Sequence, residues 1–140
     1  MIMDLIETIK QMGVVGAGGA GFPTHVKLGN QVEIVIANGT ECEPLLFNDK
    51  YMLNEHGNDV IQGLKVVLQA TGAKKGIIAL KKKQVQIVER VKSIITNHEN
   101  ISIALLDDFY PAGDEQILVY MVSGRVIAQG QLPTTVGCLV

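Results

Sequence analysis

Apolar residues recur along this chain with two periods, and the periods alternate. Leu5, Ile6, Ile9 and Met12 recur at helical spacing. They predict an amphipathic helix over Met3 to Met12, capped by Asp4 with Glu7 three residues on and ended by Gly13. Glu33 to Ala37 (Glu-Ile-Val-Ile-Ala) is a β-branched run between polar residues, hence a buried strand that stops at Asn38-Gly39. A short helix is expected around Asn48 to His56. Asn58 to Thr71 is a longer one, with Val60, Ile61, Leu64, Val67 and Leu68 on one face and Gly72 as its stop.

The pattern then repeats. Gly76 to Leu80 predicts a strand, Gln84 to Asn97 a helix on Val88, Val91, Ile94 and Ile95, and Ile101 to Leu106 a third strand. Asp114 to Val122 predicts another helix, and apolar Val136 to Val140 the start of a fourth strand. Strands alternating with helices of this length imply βαβ crossovers. The expected fold class is α/β: three layers, α/β/α, around a mainly parallel, Rossmann-like sheet of about four strands.

Composition supports one packed domain. The 140 residues are 47% hydrophobic and 19% charged, too apolar for disorder. Twelve Lys and Arg against fourteen Asp and Glu give a net charge of −2, without the basic excess a nucleic-acid surface needs. No apolar run reaches the ~18 residues of a membrane span, and Asp4 and Glu7 interrupt the one stretch that imitates a signal peptide. A cytoplasmic domain is expected, with no nucleic acid as partner and no direct membrane insertion. The two cysteines, Cys42 and Cys138, cannot by themselves hold a zinc ion or an iron–sulfur cluster, and the three histidines lack metal-ligand spacing.

The chemistry-bearing segment is the loop from Gly13 to Pro23. Gly16-Ala17-Gly18-Gly19-Ala20-Gly21 satisfies GxGxxG, yet it follows a helix and runs into Phe22-Pro23, which is the wrong context for a dinucleotide fingerprint. No Gly-Lys-Ser/Thr ends it, so it is no P-loop either. Its main chain is nevertheless uncovered, and bare N–H groups can approach a phosphate or a planar ring. Lys27 adds a compact positive charge. The alternative is a tight loop whose glycines permit close packing, and composition leaves both readings open. Cys42 reads as a small space-filling residue, because the adjacent Glu41 and Glu43 oppose a thiolate. Lys81-Lys82-Lys83 reads as a solvated connection between strand and helix.

Three motifs carry a resemblance. Gly16 to Leu28 resembles the flavin-binding loop of the NADH-oxidising flavoprotein subunit of respiratory complex I, and is closer still to the C-subunit of the Rnf electron-transport complex. Asn38-Gly39-Thr40-Glu41-Cys42-Glu43-Pro44 resembles the second motif of that family, and Phe109 to Glu115 its third. The wording of the last two is most similar to two soluble branches, the cobalamin reductase of propanediol-utilising microcompartments and the electron-transfer protein associated with proline reductase.

The resemblance implies non-covalent FMN reduced by hydride from NADH. Gly16, Gly18, Gly19 and Gly21 would then pack against flavin and nucleotide, with N–H groups directed at phosphate, and Lys27 would pair with the FMN phosphate. Phe22 would offer an aromatic surface, the alternative being a core residue. Asn38 would bond the flavin edge or ribityl chain, the alternative being a turn-forming Asn-Gly. Glu41 or Glu43 would orient hydroxyls. Gly113, Asp114 and Glu115 would lie beside the nucleotide, with Glu115 bonding a ribose or the cofactor; a helix cap is the alternative, and the aromatic pair Phe109-Tyr110 before them favours the ligand. No side chain need act as a general acid or base.

The resemblance also implies that residues 1–140 are the FMN/NADH-binding domain of a longer protein. The ubiquitin-like and iron–sulfur domains would lie outside it, and the isolated pocket would bind FMN weakly. Partners would be nucleotide cofactors and other domains or subunits of an electron-transfer complex. Its location would be peripheral to the inner face of the membrane or inside a microcompartment. A nucleotide-binding module without turnover and a docking domain are the competing readings. All of this turns on amides between positions 16 and 21 forming a cradle that faces the ends of the first and third strands.

Overall fold

A computed structural model describes residues 2–16 and 20–140, with the backbone alone at 2–4. The period-two alternation of the strands decides the layering. In β1 (Ile34–Gly39), Val35 and Ala37 enter one core while Ile34 and Ile36 enter the other. In β2 (Lys75–Lys81), Ile78 and Leu80 join the first core and Ala79 the second. In β3 (Ile101–Leu106), Ile101 and Ile103 face the first and Ala104 and Leu106 the second. Both faces are buried, as a parallel sheet requires.

The first core is closed by α3 (Asn48–Glu55), α4 (Gly57–Thr71) and α5 (Val85–Ile95), through Leu53, through Ile61, Leu64 and Leu68, and through Val88 and Val91. The second is closed by α6 (Glu115–Ser123), through Leu118 and Val119. α4 ends where its sequence says it should: Gly72 is left-handed, φ 67°, and its N–H returns to Leu68 O. The first helix, α1 (Ile2–Gln11), starts before Asp4, so Asp4 lies within the helix and does not cap it. A five-residue helix, α2 (Thr24–Leu28), enters after Pro23, and α1 packs on α2 and α4.

All strand pairs are parallel, and the order is β3-β2-β1-β4, with β4 at Cys138–Leu139. The chain builds outward from β1 to β2 to β3, then crosses back by way of α6 to place β4 on the far side of β1. The direction of winding therefore reverses between β1 and β4. That makes a topological switch point, beside which open α/β sheets bind ligands at the carboxyl ends of their strands. At the opposite, amino-terminal ends of these strands, Arg125 ties β4 to β1: it reaches Glu33 at 2.5 Å and donates to Val136 O at 2.6 Å.

The connection after β2 differs from expectation. Lys81 is buried and pairs with Asp108 at 3.1 Å. Lys83 also pairs with Asp108, and Lys82 pairs with Asp107 at 2.6 Å. Of the lysine run, only Lys82 and Lys83 have the exposed side chains expected of a solvated connection. Register explains the burial, because Lys81 is the last paired residue of β2, opposite Leu106.

Candidate functional site

The glycine loop closes on itself at its base. Val15 bridges Pro23, the Gly16 N–H donates to Phe22 O at 2.9 Å, and Thr24 N–H donates to Val14 O at 3.1 Å. The Gly16 amide is thus engaged within the chain and not directed at a phosphate. Gly18 and Gly19 lie outside the described residues. Gly21 is left-handed at φ 68°, a conformation that favours glycine.

Lys27 leaves α2 and donates to Val140 O at 2.8 Å, with its Nζ 5.7 Å from the centre of the Phe22 ring. Both side chains are half-buried and line a cavity of about 300 Å³ together with Glu115, Pro133, Leu139 and Val140. Lys27 is the one lysine or arginine in that lining.

A second cavity, about 560 Å³, is lined by Asn38, Glu41, Glu43, Asp49, Tyr110 and Gly113, among others. Glu41 and Glu43 fold together, since Glu41 Oε1 accepts the Glu43 N–H at 2.9 Å. Asp49 and Asp114 complete a set of four carboxylates with no lysine or arginine in the lining. Burial and the neighbouring Glu41 hold the Asp49 carboxyl above its usual range. Both cavities fall within the ~300–1,000 Å³ typical of cofactor sites.

The loop after β3 spans the two. Asp114 caps α6, its Oδ1 accepting from the Gln116 and Ile117 N–H groups at 3.1 Å. Asp114 lines the acidic cavity and the next residue, Glu115, lines the Lys27 cavity. The aromatic pair before them divides: Phe109 packs on the second core, and Tyr110 is exposed in the acidic cavity's rim. β2 separates β1 from β3, so the constellation faces the β1 and β4 ends and not, as expected, the first and third strands. The third motif reaches β1 because its loop crosses over, with Asn38 Nδ2 donating to Gly113 O at 3.0 Å.

The structure therefore gathers Phe22, Lys27 and Glu115 at one cavity and Asn38, Glu41, Glu43, Gly113 and Asp114 at the other. A wider hollow of about 710 Å³ between α3 and α5 holds none of the motif residues, so size does not mark the site. Sequence reasoning missed Asp49, Thr40 and Val140 as lining or supporting groups. Asp49 sits in the first turn of α3, and its place beside Glu41 follows from the loop's path alone.

The family model for the Nuo51 FMN-binding domain matches residues 9–140. The chain belongs to that family. Among curated relatives it is 41% identical over 137 residues to the cobalamin reductase PduS of Salmonella typhimurium, covering 98% of this chain and 30% of the relative. It is 35% identical over 142 residues to the C-subunit of the Na(+)-translocating ferredoxin:NAD(+) oxidoreductase complex of Acetobacterium woodii, covering 96% and 32%. Among solved structures, a chain of the NAD+-reducing nickel–iron hydrogenase in its air-oxidised state superposes with a TM-score of 0.82 at 25% identity, covering 100% of this chain and 28% of that one. The chain thus spans about a third or less of these relatives' lengths. It is the FMN-binding domain type of an electron-transfer flavoprotein family, with an all-parallel α/β sheet. Among the described residues no helix is long and apolar enough to cross a membrane.

Proposed function

We propose that this chain is the flavin- and nucleotide-binding input module of a longer electron-transfer protein, taking hydride from NADH. The observation that carries the reading is the convergence of the three sequence motifs on two adjacent loops and a cation at the β1/β4 switch point. Two of the relatives above are named for reactions of NAD+, and the third is named a reductase.

The charges sort the ligand. A phosphate suits the cavity of Lys27, where a half-buried ammonium supplies charge-assisted hydrogen bonds. It does not suit the cavity of four carboxylates, which accepts hydroxyl and N–H donors instead. The donor set therefore fits FMN, with Lys27 on the phosphate, Phe22 beside it, and the Asn38 and Gly113 loops on the polar parts. FMN, when bound, supplies the exchange between a two-electron donor and one-electron acceptors. The chain's residues bind and orient. Onward acceptors, iron–sulfur clusters or a reductase partner, belong to other domains or subunits. The setting proposed is cytoplasmic, peripheral to the membrane's inner face or within a microcompartment.

The test is titration of the full-length protein with FMN, followed by absorbance and fluorescence, and then anaerobic NADH. Uptake of FMN and bleaching of its visible band are expected. FMN uptake without bleaching removes NADH as donor, and no uptake removes the reading altogether.

A further inference from the structure

Both main-chain polar groups of Gly113 are held by side chains from the end of β1 and the loop after it. Its N–H donates to Cys42 Sγ at 3.0 Å, and its carbonyl accepts from Asn38 Nδ2 at 3.0 Å. The same thiol donates to Thr40 O at 3.2 Å. Asn38 Oδ1 accepts from Thr40 N and Oγ1, at 3.1 and 2.6 Å. Asn38, Thr40 and Cys42 occupy alternate positions from the end of β1 into the loop that follows it, and Gly113 stands 71 residues beyond Cys42. A Cβ on Gly113 would lie 3.1 Å from Thr40 O and 3.2 Å from Cys42 Sγ, a tight fit in which a side chain would push its neighbours aside by a few tenths of an ångström. Thr40 is fully buried and Cys42 half-buried.

A thiol is a weak donor and a weak acceptor, and here it does both. Space filling alone would be met by alanine or valine, neither of which offers Gly113 N–H an acceptor. The next residues, Asp114 and Glu115, line one cavity each, so the peptide that the thiol grips leads directly into both. We propose that Cys42, with Asn38, is a positioning residue for nucleotide binding. By clasping Gly113 it fixes the loop after β3 against the loop after β1 before any ligand arrives. The proposal rests on the reading of the chain as a flavin- and nucleotide-binding domain, and it concerns residues that act through Gly113.

The experiment compares wild type, Cys42→Ser and Cys42→Ala in the full-length protein. It measures hydrogen exchange at the Gly113 amide without ligand, the Kd for FMN by fluorescence titration, and Tm. Loss of the acceptor in Cys42→Ala is expected to speed Gly113 exchange and to raise the Kd roughly tenfold. Cys42→Ser, whose hydroxyl donates and accepts, is expected to restore both to within about threefold. An FMN affinity unchanged in Cys42→Ala overturns the proposal. So does an equal loss in both variants that follows their fall in Tm, because that is a packing effect. Failure of wild type itself to take up FMN overturns the functional reading and this role together, whereas normal wild-type uptake with no effect of alanine sinks only the positioning role.

Discussion

The ammonium of Lys81 lies 3.1 Å from the carboxylate of Asp108, and its side chain is only 7% exposed. Asp108 also receives Lys83, so one carboxylate serves two cations at the ends of β2 and β3. Asp108 itself is half exposed, so the cost falls on the buried ammonium: removing the carboxylate leaves Lys81 uncompensated, while removing both is far milder. Asp108→Asn is therefore expected to lower Tm measurably, and Lys81→Met combined with it to recover most of the loss. A double-mutant cycle by thermal unfolding checks this; additive effects would refute the coupling.

Acid stability should have two limbs of opposite sign. Hydrogen bonds from Lys83 and Lys81 hold the Asp108 carboxyl below its usual range, and Arg125 does the same to Glu33. Groups depressed in the folded state stabilise above their unfolded pKa and lose that contribution as pH falls through the folded value. Asp49 is raised, so it disfavours the fold at neutral pH and relieves that cost as it protonates. Tm is expected to rise slightly on mild acidification and then to fall below about pH 4, near the ordinary carboxyl range. Asp49→Asn should abolish the rise and leave the fall, as read by Tm against pH.

Lys27 carries the phosphate assignment. Lys27→Met is expected to weaken FMN binding by at least tenfold, given about 1.5–3 kcal/mol for a hydrogen bond to a charged group. Riboflavin lacks the phosphate, so its affinity should change little. Equal losses for both ligands would show that Lys27 shapes the cavity through Val140 and does not bind phosphate.

Two glycines should respond unequally to alanine. A Cβ on Gly39 would sit 2.8 Å from Leu80 Cδ2 and 3.0 Å from Ala79 O, so Gly39→Ala should cost about 1–3 kcal/mol in denaturant unfolding. A Cβ on Gly16 would meet, among the described residues, Phe22 N and O at 3.7 Å, an ordinary contact. Gly16→Ala should leave stability within about 0.5 kcal/mol, as surface changes do. A fall in FMN affinity without loss of stability would then locate the ligand against residue 16, and unchanged affinity would assign that glycine to the loop alone.

Much of the site was legible because its signals are local. Gly72 stops α4 through its own φ, and Asp114 caps α6 through its own side chain, each within a few residues. The three motifs stand in the chain as words, and they announce the family unaided. α2 escaped because five residues are too few for a period, and Lys81 because burial of a cation depends on Asp108 across the sheet. The tie from Cys42 to Gly113 left no signal at all, since a hydrogen bond between distant residues leaves no spacing to read.

By itself, then, the sequence determined the alternation of strands and helices, both buried faces of the sheet and the family to which the chain belongs. The first two follow from periodicity and from side-chain and backbone preferences that act within a turn or a strand, and the third from the three motifs. Only the tertiary structure decided the order β3-β2-β1-β4, and with it the reversal that sets Lys27 beside Val140 and Asn38 beside Gly113. Strand order is fixed by which faces bury one another across the whole chain, and no local pattern encodes that choice.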